Sequence, residues 1–173
     1  MLQAELHGKL PSNAMRSEDV LTSNVFGIMK NCDRNIFLKS WLESIGLTIG
    51  TKDVEQAEFS FWPIFEDRTE PDVVIEMPSL FIVIEAKYLS DLGNDETQLQ
   101  RQILQGVKAA KGKQFLLICI TSDFDHPKIL PKDMNIYWTS WQKLFIFLNN
   151  VLRDDSTYPN IFVNSLVLPC KYF

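Results

Sequence analysis

A chain of 173 residues, 46% hydrophobic and 23% charged, has the composition of one globular domain, which excludes a disordered or collagen-like polymer. A domain of this size buries roughly 70% of its unfolded surface and needs neither disulfides nor a structural metal to hold together. The net charge of −5 argues against a nucleic-acid partner, but it is unevenly spread: residues 1–99 hold 8 Lys/Arg against 17 Asp/Glu, and residues 100–173 hold 9 against 5.

The three cysteines, Cys32, Cys119 and Cys170, show no CxxC spacing, so neither a disulfide framework nor a zinc site is expected. Cys119 lies in the apolar run Phe115–Ile120 and reads as a buried, inert thiol. His7 and His126 stand far apart in sequence, which leaves a histidine-based nuclease or a Ser-His-Asp triad without support. No GxxxxGK[ST] or GxGxxG loop occurs. The N-terminus has no basic flank or apolar h-region, and no apolar run approaches ~18 residues, so the expectation is a cytoplasmic protein with no membrane partner.

In chain order, residues 17–30 are expected to be helical, with Leu21, Val25, Ile28 and Met29 at helical spacing and Ser17 as a cap. A second helix is expected over 34–45, capped by Asp33, striped by Phe37, Leu38, Trp41, Leu42 and Ile45, and ended by Gly46. Alternation around 57–63 indicates a strand. Two short apolar runs, 72–76 and 80–87, flank Met77-Pro78-Ser79 and read as a hairpin. Its second strand is apolar at both parities, hence buried on both faces. A helix over 97–111 follows, through Leu99, Ile103, Val107 and Ala110. Strands over 115–121 and 135–139 come next, and then a helix capped by Ser140 and running to Arg153. The fold class is α/β or α+β, with a mixed sheet covered by helices.

The hairpin holds charge where it should be apolar. If it is symmetric about Pro78-Ser79, Asp72 stands opposite Glu85. Glu85 and Lys87, two apart, leave the strand on one face. Directly opposed residues also share a face, so Asp72, Glu85 and Lys87 converge. Two adjoining carboxylates are costly to bury unless they are neutralised. Lys87 offsets one charge, and a hard divalent cation, Mg²⁺ or Mn²⁺, suits an all-oxygen site.

Glu70-Pro71-Asp72, followed by Glu85-Ala86-Lys87 with Glu85 thirteen positions after Asp72, resembles the signature of the PD-(D/E)XK nuclease superfamily. The order of elements over residues 15–153 is similar too. The resemblance implies a restriction-endonuclease-like core and a Mg²⁺-dependent phosphodiesterase, above all a DNA endonuclease. It implies Asp72, Glu85 and the Ala86 carbonyl as metal ligands and Lys87 as the residue that orients or activates the attacking water. It adds Glu18 as a further ligand, because 18, 21, 25 and 29 share a helical face. An acid in the first turn of a helix is the plainer reading; Asp19 and Glu5 are weaker candidates. Gln98 occupies the first position of a Gln-x-x-x-Tyr pattern seen in RecB-like branches, with Gln102 where Tyr would stand. Either glutamine could touch a phosphate or belong to a solvated helix face.

Arg101, Lys108, Lys111, Lys113, Lys128 and Lys132 could line a groove for the DNA backbone or be scattered surface charge. Trp138 and Trp141 read as core aromatics rather than base-stacking platforms, and Ser122–Pro127 as a solvated turn. A homodimer would suit cutting of both strands. RNA or branched DNA as substrate, and a non-catalytic module that keeps the fold, are the alternatives.

Overall fold

The structure, a computed structural model, describes residues 18–88, 96–128, 130 and 135–154. Glu5, His7, the Ser17 cap, Lys132 and Cys170 lie outside the described residues. Helix α1 (Glu18–Asn31) has Glu18 and Asp19 in its first turn. Asp33 then caps the next element as expected, its Oδ1 accepting from the backbone N–H groups of Asn35 and Ile36 at 2.8 and 3.1 Å. That element begins as a π-helical turn, Asn35–Lys39, before α2 (Ser40–Ser44). Phe37, Leu38, Trp41 and Leu42 are all buried. Gly46, at φ +95°, supplies the left-handed residue that ends α2.

A short helix, α3 (Thr51–Glu55), carries one buried side chain, Val54, too little pattern for periodicity to reveal. It has a structural task nonetheless. Asp53 Oδ1 accepts from Ser79 N–H at 3.0 Å and from Ser79 Oγ at 2.9 Å, which pins the turn of the hairpin.

The strands are β1 (Glu58–Phe61), β2 (Val73–Glu76), β3 (Leu80–Ala86), β4 (Gln114–Thr121) and β5 (Ile136–Ser140). They form one five-stranded mixed sheet in the order β1-β2-β3-β4-β5. β1, β2 and β3 run antiparallel, whereas β3, β4 and β5 run parallel. A parallel step needs a crossover, and α4 (Glu96–Ala109) provides it between β3 and β4. Helix α5 (Trp141–Asp154) follows β5 directly, with Ser140 Oγ accepting from Lys143 N–H at 3.2 Å as its cap.

Helices cover both faces of the sheet. Ile82, Ile84 and Ala86 pack into a core shared with α1, α2, α3 and α5. Phe81 and Val83 pack on the other side with Leu117, Cys119, Leu99 of α4 and Ala110 just after that helix. Every residue of β3 is buried, so the two-sided burial expected from its continuous apolar run is what the sheet shows. Cys119 is fully buried as expected, and its apolar setting pushes the thiol up to about 12. Among the described residues no helix is long and apolar enough to cross a membrane.

The sheet-facing stripe of α4 differs from the expected one. Val107 is 53% exposed, while Gln102 and Gln105 are buried beside Leu99 and Ala110. Gly106 lets the helix approach: a Cβ there would stand 2.2 Å from the Phe115 ring. Gly106→Ala should therefore destabilise the fold by about 1–3 kcal/mol through overpacking. The check is a lower urea midpoint at unchanged m-value.

Candidate active site

The register places the charged residues. Val73 pairs with Ile84, Val74 with Val83 and Ile75 with Ile82, the symmetry about Pro78-Ser79 expected from the sequence. Just beyond the paired residues, Asp72 Oδ2 accepts from Ala86 N–H at 2.8 Å. Asp72 and Glu85 therefore meet at the C-terminal end of β3, where α4 begins.

Glu85 is 2% exposed and takes donors on both oxygens. Its Oε1 receives Lys87 Nζ at 2.5 Å and Gln98 Nε2 at 2.9 Å. Its Oε2 receives Gln102 Nε2. This explains the amides on α4. Gln98 and Gln102 are one turn apart on the same helix face, and a buried carboxylate is tolerable only with such partners. Gln102 is 1% exposed, and its Oε1 is buried without a hydrogen-bond partner among the described residues.

The main chain of Lys87 is tied down at both ends. Its N–H donates to Ile120 O at 2.7 Å, and its carbonyl accepts from Trp141 Nε1 at 3.1 Å. The next residue is held from α1, as Glu18 Oε2 accepts from Tyr88 N–H at 2.6 Å while Glu18 Oε1 stands 3.8 Å from Lys87 Nζ. Neither the Trp141 nor the Tyr88 contact was legible beforehand, because both depend on main-chain positions set by the folded sheet.

Burial works against the Lys87 ammonium, but the charge and hydrogen bond of Glu85, then Asp72 and Glu18, outweigh it and hold its pKa above the ordinary lysine range. Lys87 is therefore an ammonium at neutral pH. Asp72 is displaced the other way for an acid: desolvation and the neighbouring Glu85 charge push it up to about 8, against the help of Ala86 N–H and Lys87. Its unfolded value is ~3.9. Between those values the folded chain holds a proton that the unfolded chain releases, so without a cation stability falls as pH rises from ~4 to ~8. The slope is at most about 1.4 kcal/mol per pH unit. Thermal melts in chelator across this range should show the midpoint falling; a flat or rising profile would contradict the shift.

Asp72, Glu85, Lys87, Glu18, Gln98 and Gln102 are thus brought together. Among the described residues no group of three or more His, Cys, Asp or Glu side chains is placed to hold a metal ion; Glu18 reaches the site through Lys87 and Tyr88. The donors suited to a hard cation are the Asp72 and Glu85 carboxylates with the Ala86 carbonyl. The proton drawn onto Asp72 marks the charge that a cation would neutralise.

The basic residues are distributed differently. Arg101 is exposed on the second turn of α4. Lys108 and Lys111 are exposed and line a cleft of about 370 Å³ with Phe65, Phe81 and Gln105. Phe81 and Glu85 are four residues apart on β3, so this cleft is about 13 Å along the strand from the carboxylates. Lys113 pairs with Glu76 at 2.7 Å. No protein-family model matches the sequence, and no curated protein matches it either.

Proposed function

We propose that the protein is a Mg²⁺- or Mn²⁺-dependent phosphodiesterase that hydrolyses the backbone of nucleic acid, DNA first, on a restriction-endonuclease-like core. One observation carries the reading: Asp72, Glu85 and Lys87 share one patch at the end of a fully buried strand, with Asp72 bonded to Ala86 N–H and Lys87 on Glu85. A β-meander followed by a helical crossover and a parallel strand agrees with it.

The fit to a cation rests on the oxygen donors and on the displaced Asp72. Asp72, Glu85 and the Ala86 carbonyl would hold the ion. Bound there, it would lower the pKa of a water and offset charge on the phosphate. Lys87, as an ammonium with a fixed main chain, donates to the attacking water or to a phosphate oxygen and stabilises negative charge. Gln98 and Gln102 hold Glu85 in its orientation. Glu18 and Trp141 fix residues 87 and 88. Arg101 stands nearest the site in sequence along α4 for a backbone phosphate. Lys108 and Lys111 would meet a more distant part of a long substrate.

A second reading is favoured by the three donors already on Glu85: a binding module whose charge cluster is satisfied without an ion. Titration with Mg²⁺ separates the two. A cation site should raise the melting midpoint, and more at pH 8 than at pH 6, because the ion displaces the proton on Asp72. Plasmid or single-stranded DNA should be cut in Mg²⁺, and both should be left intact by Asp72→Ala and Lys87→Ala. No thermal shift and equal cutting by all three proteins would exclude the nuclease.

A further inference from the structure

Trp138 and Trp141, three residues apart, have different surroundings. Trp141 is 2% exposed. Trp138 is half-buried on β5, the last strand in the sheet order. It pairs with Cys119, which pairs with Glu85. Two strand spacings of ~4.8 Å place Trp138 about 10 Å from Glu85 on the same face and at the same level of the sheet.

The ring is fixed and its neighbours are wet. Trp138 Nε1 donates to Thr121 Oγ1 at 3.0 Å, and the same hydroxyl accepts from Asp123 N–H at 3.3 Å. One threonine thus ties down both the indole and the start of the following loop. Lys143 Nζ lies 4.4 Å from the Trp138 ring centroid, and the His126 ring lies 5.4 Å from it at 57°. Both of these side chains are exposed, and Phe124, on the same loop, is 76% exposed. An immobilised indole whose face is covered by a flexible, solvated ammonium is a surface that a flat ring can take over.

We propose that Trp138 and Lys143 form a stacking platform for an unpaired base, so that the strand to be cut is single-stranded beside the scissile bond. Calling that strand the substrate rests on the nuclease reading; the binding does not. A base within a duplex has its faces covered by its neighbours, whereas an unpaired base offers a free face to an aromatic ring. At ~3.4 Å rise per stacked nucleotide, 10 Å corresponds to about one to three nucleotides from the phosphate at Glu85. Lys143, displaced from the ring, then has a backbone phosphate within its reach. Asp123 and Asp125 disfavour a bare phosphate around Phe124, which leaves contact between ring and base as the favourable one there.

The test is tryptophan fluorescence in EDTA, where no cutting occurs, with a short oligothymidine and with a duplex of equal length. Trp41, Trp62 and Trp141 are at most 4% exposed, so quenching reports Trp138. The single strand should quench and saturate, and the duplex should bind about tenfold more weakly. Read by anisotropy of an end-labelled oligothymidine, Lys143→Ala and Trp138→Leu should each weaken binding of the single strand by about tenfold, and Trp138→Phe should remove the tryptophan quenching while retaining most of the affinity. Melting of each variant establishes that it is folded. Absent quenching, equal affinity for duplex, or wild-type affinity in folded Lys143→Ala and Trp138→Leu would overturn the platform. Binding in EDTA without hydrolysis in Mg²⁺ would instead contradict the nuclease reading alone.

Discussion

Asp72→Asn should make the metal-free protein more stable at pH 8 and, in the same tube with Mg²⁺, unable to cut. The two effects have one origin. An asparagine Oδ1 can still accept from Ala86 N–H, the bond Asp72 makes at 2.8 Å, but it brings no second charge next to Glu85. The wild-type carboxyl, pushed up to about 8 chiefly by desolvation and then by Glu85, is held in its charged form against a free-energy penalty. Removing that penalty should stabilise the variant by at least about 1.4 kcal/mol, the equivalent of one unit of pKa displacement. For a chain of this length that is a rise of roughly 3–6 °C in melting midpoint. The gain should shrink toward pH 5, where wild-type Asp72 carries its proton. Mg²⁺ should raise the midpoint of the wild type and leave the variant unchanged. A residue that served only the fold would not show this opposition between stability and activity.

Lys87→Met is expected to lose both stability and activity. The methionine side chain keeps much of the lysine's length but removes the ammonium from Glu85, which is 2% exposed. Breaking one partner of a buried ion pair costs about 3–5 kcal/mol, here softened because Gln98 and Gln102 still donate to Glu85. Turnover should fall by about 10²–10³-fold, the range for removing one donor aimed at developing charge. Lys87→Arg would not restore it fully, since a planar guanidinium cannot occupy the place of a compact ammonium between Glu85 and Glu18. The check is a pair of measurements on folded protein, the cutting rate under saturating Mg²⁺ and the urea midpoint.

The charged centre was legible in the sequence because a β-strand has a period of two. Once residues 80–87 are read as a buried strand, Glu85 and Lys87 have to share a face, and the symmetry of the hairpin delivers Asp72. The helix expected between the third and fourth strands made a mixed sheet legible; the parallel pairing of β4 with β5, between which no helix was expected, was not. The α4 stripe was not legible. Leu99, Ile103 and Val107 made a plausible apolar face, yet Gln102 and Gln105 are buried while Val107 is out. Gln102 turns inward, with Gln98 one turn before it, because Glu85 requires donors, a demand that arises only from the tertiary structure. The amides at 98, 102 and 105, spaced four and three apart, were the available signal. Trp138 and Trp141 could not be told apart for a similar reason: their difference lies in whether a strand edge or a helix start surrounds them.

The most direct measurement is hydrolysis of a panel of linear, nicked, branched and single-stranded DNA and of RNA by wild-type protein and Asp72→Asn, each in Mg²⁺ and in EDTA. The Asp72–Glu85–Lys87 site requires cutting of at least one substrate by the wild type in Mg²⁺ only, and none by the better-folded variant. Indistinguishable behaviour of the two proteins, or cutting that persists in EDTA, would contradict it.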